Sequence, residues 1–235
     1  MKILFSPSKN MNLERLTEGE VALAKPSQEI LQALRALPKN KLGKTLSVKA
    51  ELLDSTYERY KHFGKQVSPA IELYSGMTFK QLTVDDKNIR EYLAKHLIII
   101  SALYGPIGSE ELIAPYRLDM QAKLQIGGQS LASFWKAAFA NALEDSDGEI
   151  INLASNEFST LLPHSKNWVD IDIAKIVDGQ IKRHSTTAKK ARGQILQYMA
   201  EHKIDSSEGL KCLRGVVEYV AELSTKEKLF FKLNA

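Results

Sequence analysis

Apolar residues along this chain follow two rhythms, short unbroken runs and helical spacings, and the two alternate from end to end. The run "KILF" at residues 2–5, stopped by "SPSKN", predicts a short buried strand. A polar stretch with a proline near residues 24–28 precedes "SQEILQALRAL", where Ile30, Leu31, Leu34 and Leu37 keep helical spacing. "KLGKTLSVK" and "AELLDSTYERYKHF" predict two short amphipathic helices joined by a tight polar turn. Residues 69–83 are expected to add one or two strands. "DDKNIREYLAKH" predicts a helix with acids at its start and basic residues at its end, the order the helix dipole prefers.

The second half repeats the alternation. "HLIIISALYG" is an unbroken apolar run, as in a strand buried on both faces. "LASFWKAAFANALE" predicts a helix that turns Leu131, Phe134, Trp135, Ala138, Phe139 and Leu143 inward. "GEIINLAS" is a second buried strand. "WVDIDIAKIV" and "GQIKRHS" alternate like paired strands around a turn at Asp178-Gly179. A helix follows within "HSTTAKKARGQILQYM", then a short one near residues 206–213, and "KLFFKL" closes the chain as a strand. Strands alternating with helices argue for a single mixed α/β domain over residues 1–235, with a helical lobe at about 27–66.

The helix at 184–199 breaks two local preferences. Lys189, Lys190 and Arg192 gather near its positively polarised end, and Gly193, a poor helix former, follows them. At about 100° per residue, Ala188, Ala191, Ile195, Tyr198 and Met199 share one face. Lys189, Lys190 and Gly193 fall on the other side, with Arg192 at the border. Violated preferences of this kind mark functional sites. Two readings are open: an anion approaching a bared backbone, or a solvated charged turn. Gly193 is expected to permit close approach, either of an anion or of neighbouring backbone.

Composition adds less. Of 235 residues, 32 are Lys or Arg and 28 are Asp or Glu, for a formal net charge of +4. Distribution is more telling. Residues 35–49 carry Arg35, Lys39, Lys41, Lys44 and Lys49 without an acid, and residues 182–192 carry Lys182, Arg183, Lys189, Lys190 and Arg192 without one. Such clusters can form an electrostatic footprint for nucleic acid. No run approaches the roughly 20 apolar residues that span a bilayer, and the N-terminal run is too short for a signal-peptide core. A single cysteine, Cys212, excludes an intramolecular disulfide framework and fits a reducing cytoplasm. It is expected to be a small buried hydrophobe.

Three predicted strands end in polar residues: Ser6 and Lys9 after the first, Ser101 and Tyr104 after the second, and Asn152, Ser155, Asn156 and Glu157 after the third. Ligands of open α/β sheets sit outside the carboxyl ends of strands, so three such ends on one edge would make a polar cleft. "APYRLDM" adds Tyr116, Arg117 and Asp119. Arg117 can clamp a phosphate or carboxylate through its planar fork, or pair with Asp119 or Glu111 as scaffolding. Glu157 is the candidate general base. The five histidines are dispersed, and no His/Cys spacing suits a metal, so neither a metal nor another cofactor is expected.

Several segments in order, "ILFSPSKNM", "LYGPIGSEELIAPYRLDM", "FWKAAFANAL", "INLASNEF" and "AKKARG", resemble the YaaA family of peroxide-stress-response proteins over nearly the whole chain. That resemblance implies a cytoplasmic protein that limits free intracellular iron and thereby protects DNA. It further implies DNA binding through a positively charged cleft and a helix-hairpin-helix on an unusual α/β fold. Lys9, Arg117, Lys189, Lys190 and Arg192 would be cleft cations, beside Ser6, Tyr104, Tyr116, Asn152, Ser155, Glu157 and Gly193. "KLGKTLSVKAELLDSTYERY" would be the helix-hairpin-helix, although "SVKAE" lacks the usual glycine-containing turn.

Three functions follow as competing readings. The first is a non-catalytic protein that neutralises the phosphates of duplex or branched DNA, largely without reading sequence and with no membrane partner. The second is an enzyme acting on a nucleotide or modified base in the same cleft, with Glu157 as acid/base and Arg117 or Lys9 as anion clamp. The third is direct iron binding, which the scattered ligand types support least.

Overall fold

The run "KILF" forms β1 (Lys2–Phe5), with Ile3, Leu4 and Phe5 wholly buried in the middle of a sheet. The computed structural model describes residues 1–144, 148–160, 162, 164 and 167–234, with the side chain of Glu157 outside that set. After β1 come β2 (Thr17–Glu18), α1 (Lys25–Arg35), α2 (Lys39–Thr45), α3 (Ala50–Lys61), β3 (Gln66–Pro69) and α4 (Ala70–Leu73). Next are α5 (Lys87–His96), β4 (Leu97–Ser101), β5 (Gly105–Ile107) and β6 (Leu112–Ile113). The short pair β7 (Gln125–Ile126) and β8 (Gln129–Ser130) leads into α6 (Leu131–Glu144). The remainder holds β9 (Ile150–Asn152), α7 (Asn156–Ser159), β10 (Trp168–Val177), β11 (Gln180–Lys182) and α8 (Ser185–Glu201). The chain then closes with α9 (Ser207–Leu210), β12 (Val217–Tyr219) and β13 (Lys228–Leu233).

This is a mixed α/β domain. Its main sheet runs β12-β13-β10-β9-β1-β4-β5, with β11 hairpinned onto β10. The central strands β13, β10, β9, β1 and β4 are parallel to one another, and antiparallel pairs lie at the margins. Parallel strands covered on both faces need near-continuous apolar sequence, which "KILF", "LIII" and "EIIN" supply. Register fixes the consequence for the site. Phe5 pairs with Ile99 and Leu4 with Asn152, so β1, β4 and β9 all release their chains at one sheet edge.

Most predicted elements stand where the pattern places them. In α6, Leu131, Trp135, Phe139 and Leu143 are buried every fourth residue, with Phe134 and Ala138 half-buried beside them. Asp86 caps α5 by accepting from the N–H groups of Asn88 and Ile89. The β10–β11 hairpin turns at Asp178 (φ 52°) and Gly179 (φ 75°), two left-handed residues as a tight hairpin requires. The lobe of α1 to α3 shares the sheet's core through Ile30, Leu31, Leu34, Leu42, Leu46 and Tyr60.

Two expectations fail. Residues 69–83 are not strands: they form α4 and a 3-10 turn at Phe79–Gln81, and the strand ends at Pro69. Ala70, Ile71, Leu73 and Tyr74 are all buried, a helical spacing too brief to stand out from alternation in the sequence. Cys212 is exposed rather than buried. Leu210 and Leu213, three positions apart, take the inward face and leave the thiol outward.

Candidate functional site

Where β1 and β9 end, a cavity of about 370 Å³ opens. Four stretches of chain build its walls. The β1 loop contributes Ser6, Ser8 and Lys9; the loop after β6 contributes Tyr116, Arg117 and Asp119; the β9 exit contributes Ser155 and Phe158; and α8 contributes Lys189 and Arg192. Lys189 and Arg192 are three apart in a helix, so they project from neighbouring positions on one face. Ser6 ties two walls together, since the Ser155 N–H donates to Ser6 Oγ at 2.9 Å.

A fifth wall, residues 76–78, escaped the sequence reading. Gly76 lies so close to the β1 loop that a Cβ there would fall 2.2 Å from Ser8 Oγ. The Ser75 N–H donates to the Asn10 carbonyl, which holds the two segments side by side. On the other flank, a Cβ on Gly193 would fall 2.1 Å from the Thr78 carbonyl oxygen. The glycine in the helix is thus there for neighbouring backbone, not for an anion. It lets α8 abut the Phe79–Gln81 turn, and that close seat is what carries Lys189 and Arg192 to the cavity. Gln197 fastens the same contact, accepting from the Thr83 N–H at 2.9 Å and donating to Thr83 Oγ1 at 2.6 Å. The placement of Gly193 on the polar side of the helix is therefore corrected: it is buried, as are Leu196 and Ala191.

Charge in the cavity is lopsided. Lys9, Arg117, Lys189 and Arg192 line it with one described acid, Asp119. Asp119 is taken by Lys9, at 2.5 Å. Glu111 Oε1 accepts instead from the Gly108 N–H. Arg117 therefore pairs with neither of the carboxylates that might have made it scaffolding. Its Nε is buried and donates to no acceptor among the described residues, and the same holds for Arg192 Nε. Burial pulls the Arg192 guanidinium below its ordinary value, with Asp172 opposing; Asp172 itself is held by Arg183 at 2.6 Å. An arginine stays charged through any such shift, so a buried Nε–H without an acceptor is costly until an anion supplies one.

Tyr116 is the cavity's buried hydroxyl. Its OH lies 2.8 Å from Tyr74 OH and 2.9 Å from Ser101 Oγ. Burial pushes this phenol up to about 12, so it is protonated at neutral pH and acts as a donor or relay, not a base. Ser101 Oγ also accepts from the N–H groups of Leu103 and Tyr104, which closes the turn after β4.

Tyr104, Asn152, Lys190 and Gly193 are not among the cavity's lining residues. Tyr104 OH donates to the Ala114 carbonyl and accepts from its N–H, anchoring the segment that carries Arg117. Asn152 is buried, donating to Asp170 Oδ1 at 2.7 Å and accepting from the Ala154 N–H. Lys190 is exposed and outside the lining, while Gly193 serves the helix contact. The Glu157 side chain lies outside the described residues. Among those residues, no group of three or more His, Cys, Asp and Glu is placed to hold a metal ion, and no helix is long and apolar enough to cross a membrane.

The basic stretch at 35–49 lies on α2 and its turn. Arg35 donates to the Tyr60 carbonyl and Lys39 pairs with Asp54, so both serve the lobe. Lys41, Lys44 and Lys49 are exposed. Between α2 and α3 the chain turns at Ser47, in the left-handed region at φ 49°, and the Val48 N–H donates to the Gly43 carbonyl at 3.0 Å. The polar serine takes the conformation for which a turn glycine would ordinarily be chosen.

Comparison with known proteins adds a family match. A family model described as peroxide stress protein YaaA matches residues 1–222. The chain is similar to a UPF0246 protein of Fusobacterium nucleatum subsp. nucleatum, 33% identical over 221 residues that cover 88% of each chain. It is likewise similar to a UPF0246 protein of Streptococcus equi subsp. equi, 33% identical over 217 residues and 89% of each. A UPF0246 protein of Pediococcus pentosaceus is 30% identical over 247 aligned positions, covering 100% of this chain and 98% of that one.

Proposed function

This chain belongs to the peroxide stress protein YaaA family, and from that premise we propose that it protects DNA by binding it electrostatically. In this reading Lys9, Arg117, Lys189 and Arg192 form a basic cleft, and α2 with α3 forms a helix-hairpin-helix. The observation that carries it is the pair of buried Nε atoms of Arg117 and Arg192, which meet no acceptor among the described residues. A phosphate oxygen is the acceptor whose charge and geometry match an arginine fork. Exposed Lys41, Lys44 and Lys49 on and beside α2 extend the contact along a strand, positioning duplex or branched DNA without reading bases.

The reading includes a cytoplasmic limit on free iron. Ferrous iron reduces hydrogen peroxide to hydroxide and hydroxyl radical, becoming ferric, and the radical attacks DNA. Less free iron means fewer radicals near the bound DNA. This effect is attached to no particular side chain.

Anisotropy titration of a fluorescent duplex at several salt concentrations tests the binding. The logarithm of the affinity should fall linearly with the logarithm of salt, by roughly 0.9 per phosphate neutralised. Binding that ignores salt, or that separates sequences strongly, would overturn it. A second reading, turnover of a nucleotide or modified base, draws on the concave shape of the cavity. Chromatography of a nucleotide or modified oligonucleotide incubated with the protein tests it, and an unchanged substrate would remove it.

A further inference from the structure

We propose that the cavity seats one nucleoside monophosphate unit, either free or turned out of a nucleic-acid strand. The proposal rests on the reading of this cavity as a phosphate site and adds what else the ligand must carry. Ligand pockets run from roughly 300 to 1,000 Å³, and about 370 Å³ stands at the small end. That space is far more than a lone phosphate needs, and it is too confined for paired, stacked bases. Arg117 and Arg192 both line this cavity and both bury Nε, so a phosphate that enters it meets two arginine forks.

The apolar part of the lining agrees with a nucleotide. Met77, Leu118 and Phe158 line the cavity together with the cations. Leu118 and Phe158 are buried, whereas Met77 is 44% exposed at the rim. An adaptable thioether beside an aromatic ring and a branched side chain suits the face of a base. Ser8 and Thr78, also in the lining, carry hydroxyls that a sugar can meet. Tyr116, protonated at neutral pH, lines the cavity with its OH held against Tyr74 and Ser101. A ligand with anionic, polar and planar apolar parts matches that mixed lining.

Isothermal titration of the full chain with adenosine 5′-monophosphate, adenosine and inorganic phosphate tests the seat. Adenosine monophosphate should bind once per chain, at least tenfold tighter than either fragment. Arg117→Gln/Arg192→Gln should lose at least tenfold while melting no lower than the parent; Lys189→Gln is the backup should the double variant fail to fold. Lys87→Ala, a surface change on α5, should leave the binding unchanged. Inorganic phosphate binding as tightly as the nucleotide, or no saturable nucleotide binding, would overturn the proposal. A second arm separates the sources, using duplexes with a 2-aminopurine nucleotide either fully paired or opposite an abasic site. Preferred binding of the abasic duplex with a rise in fluorescence identifies an everted nucleotide. Binding of adenosine monophosphate without that preference identifies a free one. Duplex binding is read in the same arm: if it persists while the mononucleotide fails, the seat falls and the DNA reading stands. If the mononucleotide binds and the duplex does not, the DNA reading falls and the seat stands.

Discussion

Arg117 and Arg192 in the cavity and Lys41 and Lys44 on α2 carry the same charge in opposite circumstances. The arginines are anchored, partly desolvated and without an acceptor at Nε among the described residues. The lysines stand in water on a short helix. A solvated lysine costs the fold almost nothing, so its presence says little about a ligand. A desolvated guanidinium is expensive to leave unpaired, so its presence says more. The basic stretch at 35–49 is the more conspicuous feature in the sequence, and the cavity is the more informative one in the structure.

That contrast can be broken at several points. The largest effect is expected at the wall itself. Gly193→Ala should destabilise the fold by about 1–3 kcal/mol, as overpacking does, because the methyl would meet the Thr78 carbonyl. Urea unfolding measures it. A gain of about 0.4–1 kcal/mol, the usual result where a helical glycine is unconstrained, would show that α8 is not held by this contact. Arg117→Gln should weaken duplex binding about tenfold, roughly 1.4 kcal/mol, and leave the melting temperature level or higher. Unaltered affinity would put Arg117 back among the scaffold residues.

Lys41→Ala and Lys44→Ala address the exposed set. Each should lower the salt slope of DNA binding by roughly 0.9 with no change in melting temperature, and an unchanged slope would remove α2 from the proposed interface. The smallest effect concerns a buried group that can shed its charge, as an arginine cannot. Burial lowers the His96 imidazole from its ordinary value, partly opposed by its contact with the Met1 carbonyl at 3.0 Å. A depressed folded value gives stability that is present above pH 6.5, the ordinary value, and lost as pH falls through the lowered one. Melting curves from pH 7.5 down to 5 should therefore decline more steeply for the parent than for His96→Gln, and parallel curves would contradict this.

The sheet was legible because parallel strands buried on both faces leave continuous apolar runs such as "LIII", and α5 and α6 because their spacing is regular. Residues 69–83 were misread because one turn of helix is too short to establish a period. In the site, Lys9, Arg117, Lys189 and Arg192 were nameable from residue type and from their place after strands or on α8. Residues 76–78 were not, because Gly76 matters only through its approach to Ser8, which is 68 positions away and leaves no local mark. Asn152 and Tyr104 were named for the same polar character, but their polar groups close on Asp170 and Ala114 instead. Sequence exposes a polar side chain's capacity; only packing decides which partner uses it.

The central claim is that the cavity's arginines are held in an unfavourable state that an anionic ligand relieves. Melting Arg192→Met and the parent side by side, with and without a short DNA duplex at low salt, tests it most directly. The account predicts that Arg192→Met melts at or above the parent when free, since an apolar side chain of similar length removes a buried charge. It further predicts that saturating DNA raises the parent's melting temperature and moves the variant's much less. A variant that melts well below the parent when free, yet gains as much from DNA, would contradict the claim and make Arg192 a structural residue.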